Sequence, residues 1–498
     1  MKENFFLKNK INIIIILSYA VSTGFILCFH EPWGDEAEAW LIARDLDFFS
    51  MIFRQIRYCG TPFIWYTCIF PFAKLSFPYF TMSVLHWLMS VAAGSLLLFR
   101  SPFPLFLKIL LLFSYYFAFE FAVVARCYTP GILLLFFIAV FYKTRFSNPI
   151  RFGILTGLLG NTNSLCAVLA AGIGLVYFIE LAVYKKFSIR TFSAFIIMLI
   201  SGIFVIVQLY PPDDLSNSAG IFRHFNYKYF YYAVKNAFFP APYFCGAAVN
   251  IFALLLLTAG MAALSFSLET LLLALFSVIC YAGLFVFIYP GSHRQHAFFL
   301  IMLIFLFWIE RVYREKTIFS LQNLWIRRWP QLSADIMKKI FFTALAASLL
   351  LSVFHTAYTW QLEYQFPFSA GKETARFLKT LNIADTPGVG HPSWNAQAVL
   401  PWLPGLKLYY PDNEKISTFK TPDAVMIKNI NMSNEDAITA ADNFFSGNTN
   451  ILLILRDPLP EKFKNDFTLL FRSRDDAFGI CSEKYNIYFR KKPGAKIH

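Results

Sequence analysis

The chain has 498 residues, 57% of them hydrophobic and only 15% charged, with a net charge of +14. Soluble globular proteins carry about 25% charged residues, so this chain has too few to cover a water-facing surface along its length. Phe alone accounts for 59 residues and aromatics for 19%, which excludes a disordered, collagen-like or disulfide-stapled chain.

What is left is a polytopic α-helical membrane protein, because several apolar runs reach the ~18–20 residues that span a bilayer. Lys2, Lys8 and Lys10 precede an apolar run, 11–29, with no small-x-small cleavage site behind it, so a retained first span is expected. Further spans are expected at 79–99, 106–122, 129–142, 150–162, 165–184, 191–209, 247–265, 268–289, 297–310 and 340–359, about eleven in all. With the N-terminus inside, the inner segments hold eighteen Lys and Arg, including Arg314, Lys316, Arg327 and Arg328. The outer segments before residue 360 hold nine, including Arg223. That bias gives N-in, and an odd span count then gives C-out. The same bias explains the net charge without a polyanion, so no nucleic-acid partner is expected. The eight cysteines form no CxxC pair, and neither a zinc site nor a disulfide framework is expected.

Two outer segments are long. Residues 30–78 carry helical periodicity (Ala39, Ile42, Leu46, Phe49) and a second apolar stretch, Phe63–Phe72, and predict two or three helices lying along the membrane surface. Residues 210–246 open on Pro-Pro-Asp-Asp and continue rich in Tyr and Phe, as in an interfacial belt. Beyond about 360 the composition becomes mixed. Apolar runs at Ile451–Leu455, Phe467–Phe471 and Tyr485–Phe489 predict strands, and 370–380 and 434–445 predict helices. The expected organisation is a membrane domain, 1–359, and a small extracytoplasmic α/β domain, 360–498.

Three constellations could carry chemistry. Where the first span ends stands His30-Glu31-Pro32-Trp33-Gly34-Asp35-Glu36-Ala37-Glu38, and with Asp45 five carboxylates fall within fifteen residues. Asp35 with Glu38 fits a helix N-cap and its capping box. Capping does not explain the crowding of Glu31 and Glu36, since like charges this close repel unless a cation or substrate hydroxyl lies among them. Glu120 and Arg126 stand where the third span is expected to meet the outside; ionisable groups at membrane depth serve a site or pair with each other. Six residues apart is not a same-face helical spacing, so direct pairing needs a bend. His293, Arg294 and His296 follow Tyr289-Pro290 at the outer end of the ninth span. They are either a basic interfacial loop or a phosphate or proton-handling cluster. A lesser signal is Asn161-Thr162-Asn163, which could hold a sugar hydroxyl or cap a span. The sequence contains no glycine-rich phosphate loop, zinc-ligand spacing or GxSxG elbow.

Together these positions resemble the GT-C glycosyltransferases, a group that includes protein O-mannosyltransferases and the aminoarabinose transferases of lipid A. The resemblance rests on Gly34-Asp35-Glu36-Ala37 with Trp40-Leu41-Ile42-Ala43-Arg44, and on Gly60-Thr61-Pro62-Phe63-Ile64-Trp65-Tyr66 before the second span. It covers 11–310 in layout; Thr61 stands where the family has histidine, and Glu120 is the best match to its second-loop acidic residue. The resemblance implies an inner-membrane enzyme that transfers a sugar, with inversion, from a polyprenyl-phosphate donor to an extracytoplasmic glycan, lipid or protein acceptor. Asp35 is then the expected general base, with Glu36 second. Arg126, Arg294, His296 and His293 are expected at the donor phosphate, and Glu31, Glu38, Glu120 and Asn161 at the acceptor, the sugar or an ion. A divalent metal ion is the one candidate cofactor. The alternatives are a flippase of lipid-linked saccharides and a non-catalytic envelope assembly protein.

Overall fold

The computed structural model describes residues 2–216, 225–264, 267–313, 331–381, 386–445, 450–479 and 483–490. Arg223, Arg314, Lys316, Arg327 and Arg328, counted above toward orientation, lie outside these residues. Seven of the described helices are long and apolar enough to cross a membrane: Asn9–Leu27, Phe80–Arg100, Ser164–Val183, Ile189–Leu209, Leu268–Ile288, His293–Tyr313 and Ile336–Gln365. Three shorter apolar helices, Tyr128–Thr144, Pro149–Gly160 and Ala247–Ala263, fall at other expected spans.

The expected span at 106–122 is not continuous. A helix runs from Leu105 to Phe113, stops at Ser114, resumes as a single π turn at Tyr116–Glu120 and ends in turns before Tyr128. Apolar composition alone predicts a helix here, but hydropathy does not register where the backbone breaks. The break is sustained because its freed backbone groups find partners on neighbouring elements. Tyr19 Oη donates to the Phe117 carbonyl at 2.6 Å and Trp360 Nε1 to that of Ala118 at 3.2 Å. Thr129 Oγ1 donates to the Phe121 carbonyl, and Ser352 Oγ accepts from the Tyr115 N–H. Residues 115–125 are buried throughout, and the break carries Glu120 into the interior.

The segment 30–78 forms helices at Gly34–Asp45, Ile56–Cys59 and Ile64–Lys74, with a π turn at Met51–Gln55. The last long helix, Gln331–Gln365, runs 35 residues and leads toward the C-terminal sheet. That sheet has six strands: β1 (Gly388–His391), β2 (Leu408–Tyr410), β3 (Lys415–Ser417), β4 (Ile451–Leu455), β5 (Thr468–Arg472) and β6 (Asn486–Arg490). Their order is β3-β2-β1-β4-β6-β5, with β1 parallel to β2 and β4 and the other pairings antiparallel. Strand β4 is apolar at every position because both faces are covered. Ile451, Leu453 and Leu455 pack with Ile438 and Ala441 of the helix Asn434–Phe444. Leu452 and Ile454 instead join the core that continues into the membrane helices.

The sheet domain docks on the acidic helix at Gly34. The Gly34 N–H donates to Glu483 Oε1 at 2.9 Å, and the Gly34 carbonyl accepts from Gln397 Nε2 at 3.0 Å. A Cβ at Gly34 would sit 2.4 Å from the Trp394 carbonyl oxygen, a contact that only a backbone shift can relieve. Forced overpacking costs about 1–3 kcal/mol, so Gly34→Ala is expected to lower the thermal midpoint of the detergent-solubilised chain and to speed proteolysis between the membrane helices and the sheet. An unchanged midpoint and cleavage pattern would remove Gly34 as the docking point.

Candidate active site

The first span ends at Leu27, Pro32 lies in the non-helical stretch that follows, and the helix Gly34–Asp45 starts behind Trp33 as N-cap. Asp35 is therefore not the cap, and it does not form a box with Glu38. The reach back to the cap is made by Glu36, whose Oε2 accepts from the Trp33 N–H at 3.3 Å. With Asp35 and Glu36 in the first turn, the helix begins with acidic residues, which its dipole favours.

Asp35, Glu36 and Glu38 then meet cations from different parts of the chain. Asp35 Oδ2 lies 3.3 Å from Arg126 Nη2, and Arg126 Nη1 donates to the Asp35 carbonyl at 2.6 Å. Glu36 is fully buried: His30 Nε2 is 3.0 Å from Oε2, and the Ala125 N–H donates to Oε1 at 2.6 Å. His30 Nδ1 in turn meets Glu363 Oε1 at 2.8 Å. Burial disfavours a charged imidazole, but two carboxylates outweigh it and raise the His30 pKa to about 10. Glu38 accepts from Lys420 Nζ at 2.9 Å and from Cys59 Sγ at 3.7 Å. The charges of Lys372 and Arg376, on the helix Gly371–Lys379, favour ionised Glu31, but burial outweighs them and its pKa is raised.

The broken segment supplies the opposite wall. Glu120 does not pair with Arg126. Its Oε1 accepts from Tyr115 Oη at 2.8 Å, and its Oε2 lies 3.1 Å from Arg294 Nε, an ion-pair distance without hydrogen-bond alignment. Arg294 is 3% exposed and stands over the Trp33 ring at 5.4 Å. Its Nε and Nη2, and the Nε of Arg126, have no hydrogen-bond acceptor among the described residues. Two guanidinium groups with unengaged donors, Arg294 buried and Arg126 a fifth exposed, therefore act on the charge of Asp35. Burial alone would raise the Asp35 pKa, but Arg126, Lys420 and Arg294 outweigh it and hold the carboxyl below its ordinary value.

Other expected site residues have different partners. Both ring nitrogens of His296 are engaged, Nδ1 with Asn236 Nδ2 at 3.0 Å and Nε2 with the Pro290 carbonyl at 2.9 Å. These partners suit a neutral ring that fastens the turn before the helix Phe298–Tyr313. His293 lies near Glu120, Lys235 and Arg294. Asn161 donates to the Gly157 carbonyl and to Ser201 Oγ, and its Oδ1 accepts from Gln208 Nε2. Those bonds join two apolar helices, Pro149–Gly160 and Ile189–Leu209, and leave its amide little to offer a sugar. The structure thus brings together Asp35, Glu38, Arg126, Glu120 and Arg294, with Glu36 directly behind them.

Sequence reasoning missed Lys420, His30, Glu363 and Glu483. Lys420 and Glu483 lie more than 380 residues from Asp35, in a region without a recognisable motif. Glu363 gave a faint signal, a lone acid at the end of an apolar helix. For a metal ion, among the described residues no group of three or more His, Cys, Asp or Glu is placed to ligate one. The cation at the Asp35–Glu38 pair is Lys420, 2.9 Å from Glu38 Oε2 and 4.0 Å from Asp35 Oδ1.

No family model and no curated protein matches this sequence. Among solved structures, the crystal structure of ArnT from Cupriavidus metallidurans bound to undecaprenyl phosphate is similar in fold. The TM-score is 0.56 over 96% of this chain and 97% of that one, at 10% sequence identity. The likeness extends across both the membrane helices and the C-terminal sheet, and the fold is the one that the resemblance to GT-C enzymes implied.

Glu483 accepts from Gly34 N–H and from Ser369 Oγ at 2.6 Å, and burial raises its pKa to about 8 despite those bonds. Its folded pKa lies above its unfolded value of about 4.3, so the native state binds more protons in between. Stability is therefore expected to fall as pH rises from about 5 to 8, read as the thermal midpoint of the solubilised chain. Glu483→Gln should flatten that dependence, and an equally steep curve in the variant would sink the assignment.

Proposed function

We propose that this chain is an integral membrane glycosyltransferase of the inner membrane, using a polyprenyl-phosphate-linked sugar and acting on an extracytoplasmic glycan, lipid or protein acceptor. The observation that carries this is the meeting of a partly open carboxylate, Asp35, with two arginines that have unengaged donors, Arg294 buried and Arg126 half-buried. The likeness in fold to a protein crystallised with undecaprenyl phosphate supports the donor class. The charge bias of the loops supports a site on the outer side.

The acceptor hydroxyl attacks C1 of the donor sugar from the face opposite the phosphate. Its proton passes to an Asp35 oxygen as the new C1–O bond forms. The bond from C1 to the phosphate oxygen breaks, and polyprenyl phosphate leaves with the electron pair, so configuration at C1 inverts. The leaving phosphate gains charge in this step, and Arg126 and Arg294 oppose it with fixed donors in a water-poor setting. Asp35 suits the base role because its side chain is a third exposed, against none for Glu36 and a tenth for Glu38. Glu36, with His30, the Trp33 N–H and the Ala125 N–H around it, fixes the helix start on which Asp35 is carried. Glu120 holds Arg294. An apolar groove of about 400 Å³, lined by Gly157, Gly160, Ala170, Gly174 and Gly202, runs between three apolar helices. Its Gly160 end adjoins Asn161, whose carbonyl accepts from Ile64 N–H of the outer segment, a path suited to an isoprenoid tail.

Lipid-extract mass spectrometry of a deletion strain against its parent should reveal one missing saccharide and so name donor and acceptor. In membranes supplied with that donor, Asp35→Asn is expected to lower transfer by about 10²–10⁴-fold. Arg294→Gln should lower it by about 10²–10³-fold. Full transfer by Asp35→Asn at normal expression would remove Asp35 as the base, and sugar movement across vesicles without bond formation would favour a flippase instead.

A further inference from the structure

The acidic head of the helix Gly34–Asp45 obtains its countercharges from two parts of the chain. His30 and Arg126 neutralise Glu36 and Asp35 from the membrane domain. Glu38 takes its own from beyond residue 360, through Lys420, and the charges of Lys372 and Arg376, also beyond 360, act on Glu31. Lys420 is the most firmly placed of these. Its N–H donates to Gln397 Oε1 at 3.0 Å, and the Nε2 of the same amide donates to the Gly34 carbonyl, also at 3.0 Å. Two residues earlier, Thr418 Oγ1 donates to Asp45 at the far end of the helix. The chain that carries Lys420 is thus fastened at both ends of the acidic helix. Its side chain is 13% exposed, and its ammonium stands between Glu38 and Asp35, where two carboxylates three positions apart would otherwise share a divalent cation.

We propose that Lys420 is a positioning residue for the transfer reaction, in which its ammonium does the work of a bound divalent cation, so that the centre is complete only with the C-terminal domain docked and needs no added metal. This rests on Asp35 as the base. The ammonium draws Glu38 away from Asp35 and offsets the repulsion between them. The charges acting on Asp35 are Arg126 and Arg294 from the membrane domain and Lys420 from the sheet domain; the Glu38 carboxylate meets the same Lys420 ammonium, and Glu483, its pKa raised by burial, lies at the helix start. Removing Lys420 deletes one of three cations and leaves Glu38 without its ion-pair partner. The Asp35 carboxyl then titrates at higher pH, and since the base works only when ionised, the acid limb of the rate profile moves upward.

The test uses the full chain in lipid nanodiscs with its polyprenyl-phosphate sugar donor. Wild-type transfer is expected to survive EDTA. Lys420→Met should lower kcat at least tenfold and shift the acid limb up by about one pH unit, while Lys420→Arg keeps most of the rate and the original limb. Millimolar Mg²⁺ or Mn²⁺ should raise Lys420→Met and leave the wild type unchanged. A Lys420→Met rate and profile equal to wild type would overturn the proposal, as would loss of wild-type transfer in EDTA. Lys420→Arg guards against a folding defect, since it keeps the charge at that position. An active Asp35→Asn enzyme defeats the base assignment itself, a result distinct from any of these.

Discussion

An acidic helix start cannot be packed into a protein interior unless every carboxylate meets a cation or a hydrogen-bond donor. That requirement organises the molecule. Three acids at residues 35–38 and the acid at 120 are held by His30, Arg126, Arg294 and Lys420, which come from four stretches of chain. Burying a charge with its partner removed costs several kcal/mol. The first span, the broken segment, the helix after residue 292 and the sheet domain are therefore obliged to meet at one place, and the place where they meet is the candidate active site.

The broken segment is where local propensity and tertiary demand diverge. Leu105–Phe113 is an ordinary apolar helix, and nothing in Tyr115–Val124 contains proline or glycine to stop it. The stop comes from outside, from Tyr19, Thr129, Ser352 and Trp360 offering better partners to the backbone than the next helical turn would. Such a break is invisible to hydropathy because its cause lies in residues up to 242 positions away.

Other features were legible for identifiable reasons. Long apolar helices announce themselves by composition, and Ile451–Leu455 by an unbroken apolar run that only a strand covered on both faces needs. The Asp-Glu loop was legible because the crowding of like charge is itself anomalous. Strands β1 to β3 were not legible: Gly388–His391 contains two glycines, and β2 and β3 are three residues each, too short for any period to emerge. Among the expected site residues, Asp35, Arg126 and Arg294 converge, whereas His296 and Asn161 are occupied by neighbouring backbone and amide groups. A polar residue at a span end has the same appearance in sequence whether it binds substrate or ties down a turn, and only its partners tell the two apart.

The final helix, Gln331–Gln365, is 35 residues long, about 52 Å at 1.5 Å per residue, against a hydrocarbon core of about 30 Å. It touches the broken segment through Ser352, Thr356 and Trp360 and the acidic head through Glu363. Both walls of the site are thus hung from one rod. In a thicker or thinner bilayer the rod would tilt to match and carry both walls with it, so the gap across which the sugar passes would be set by protein contacts and not by the lipids around them.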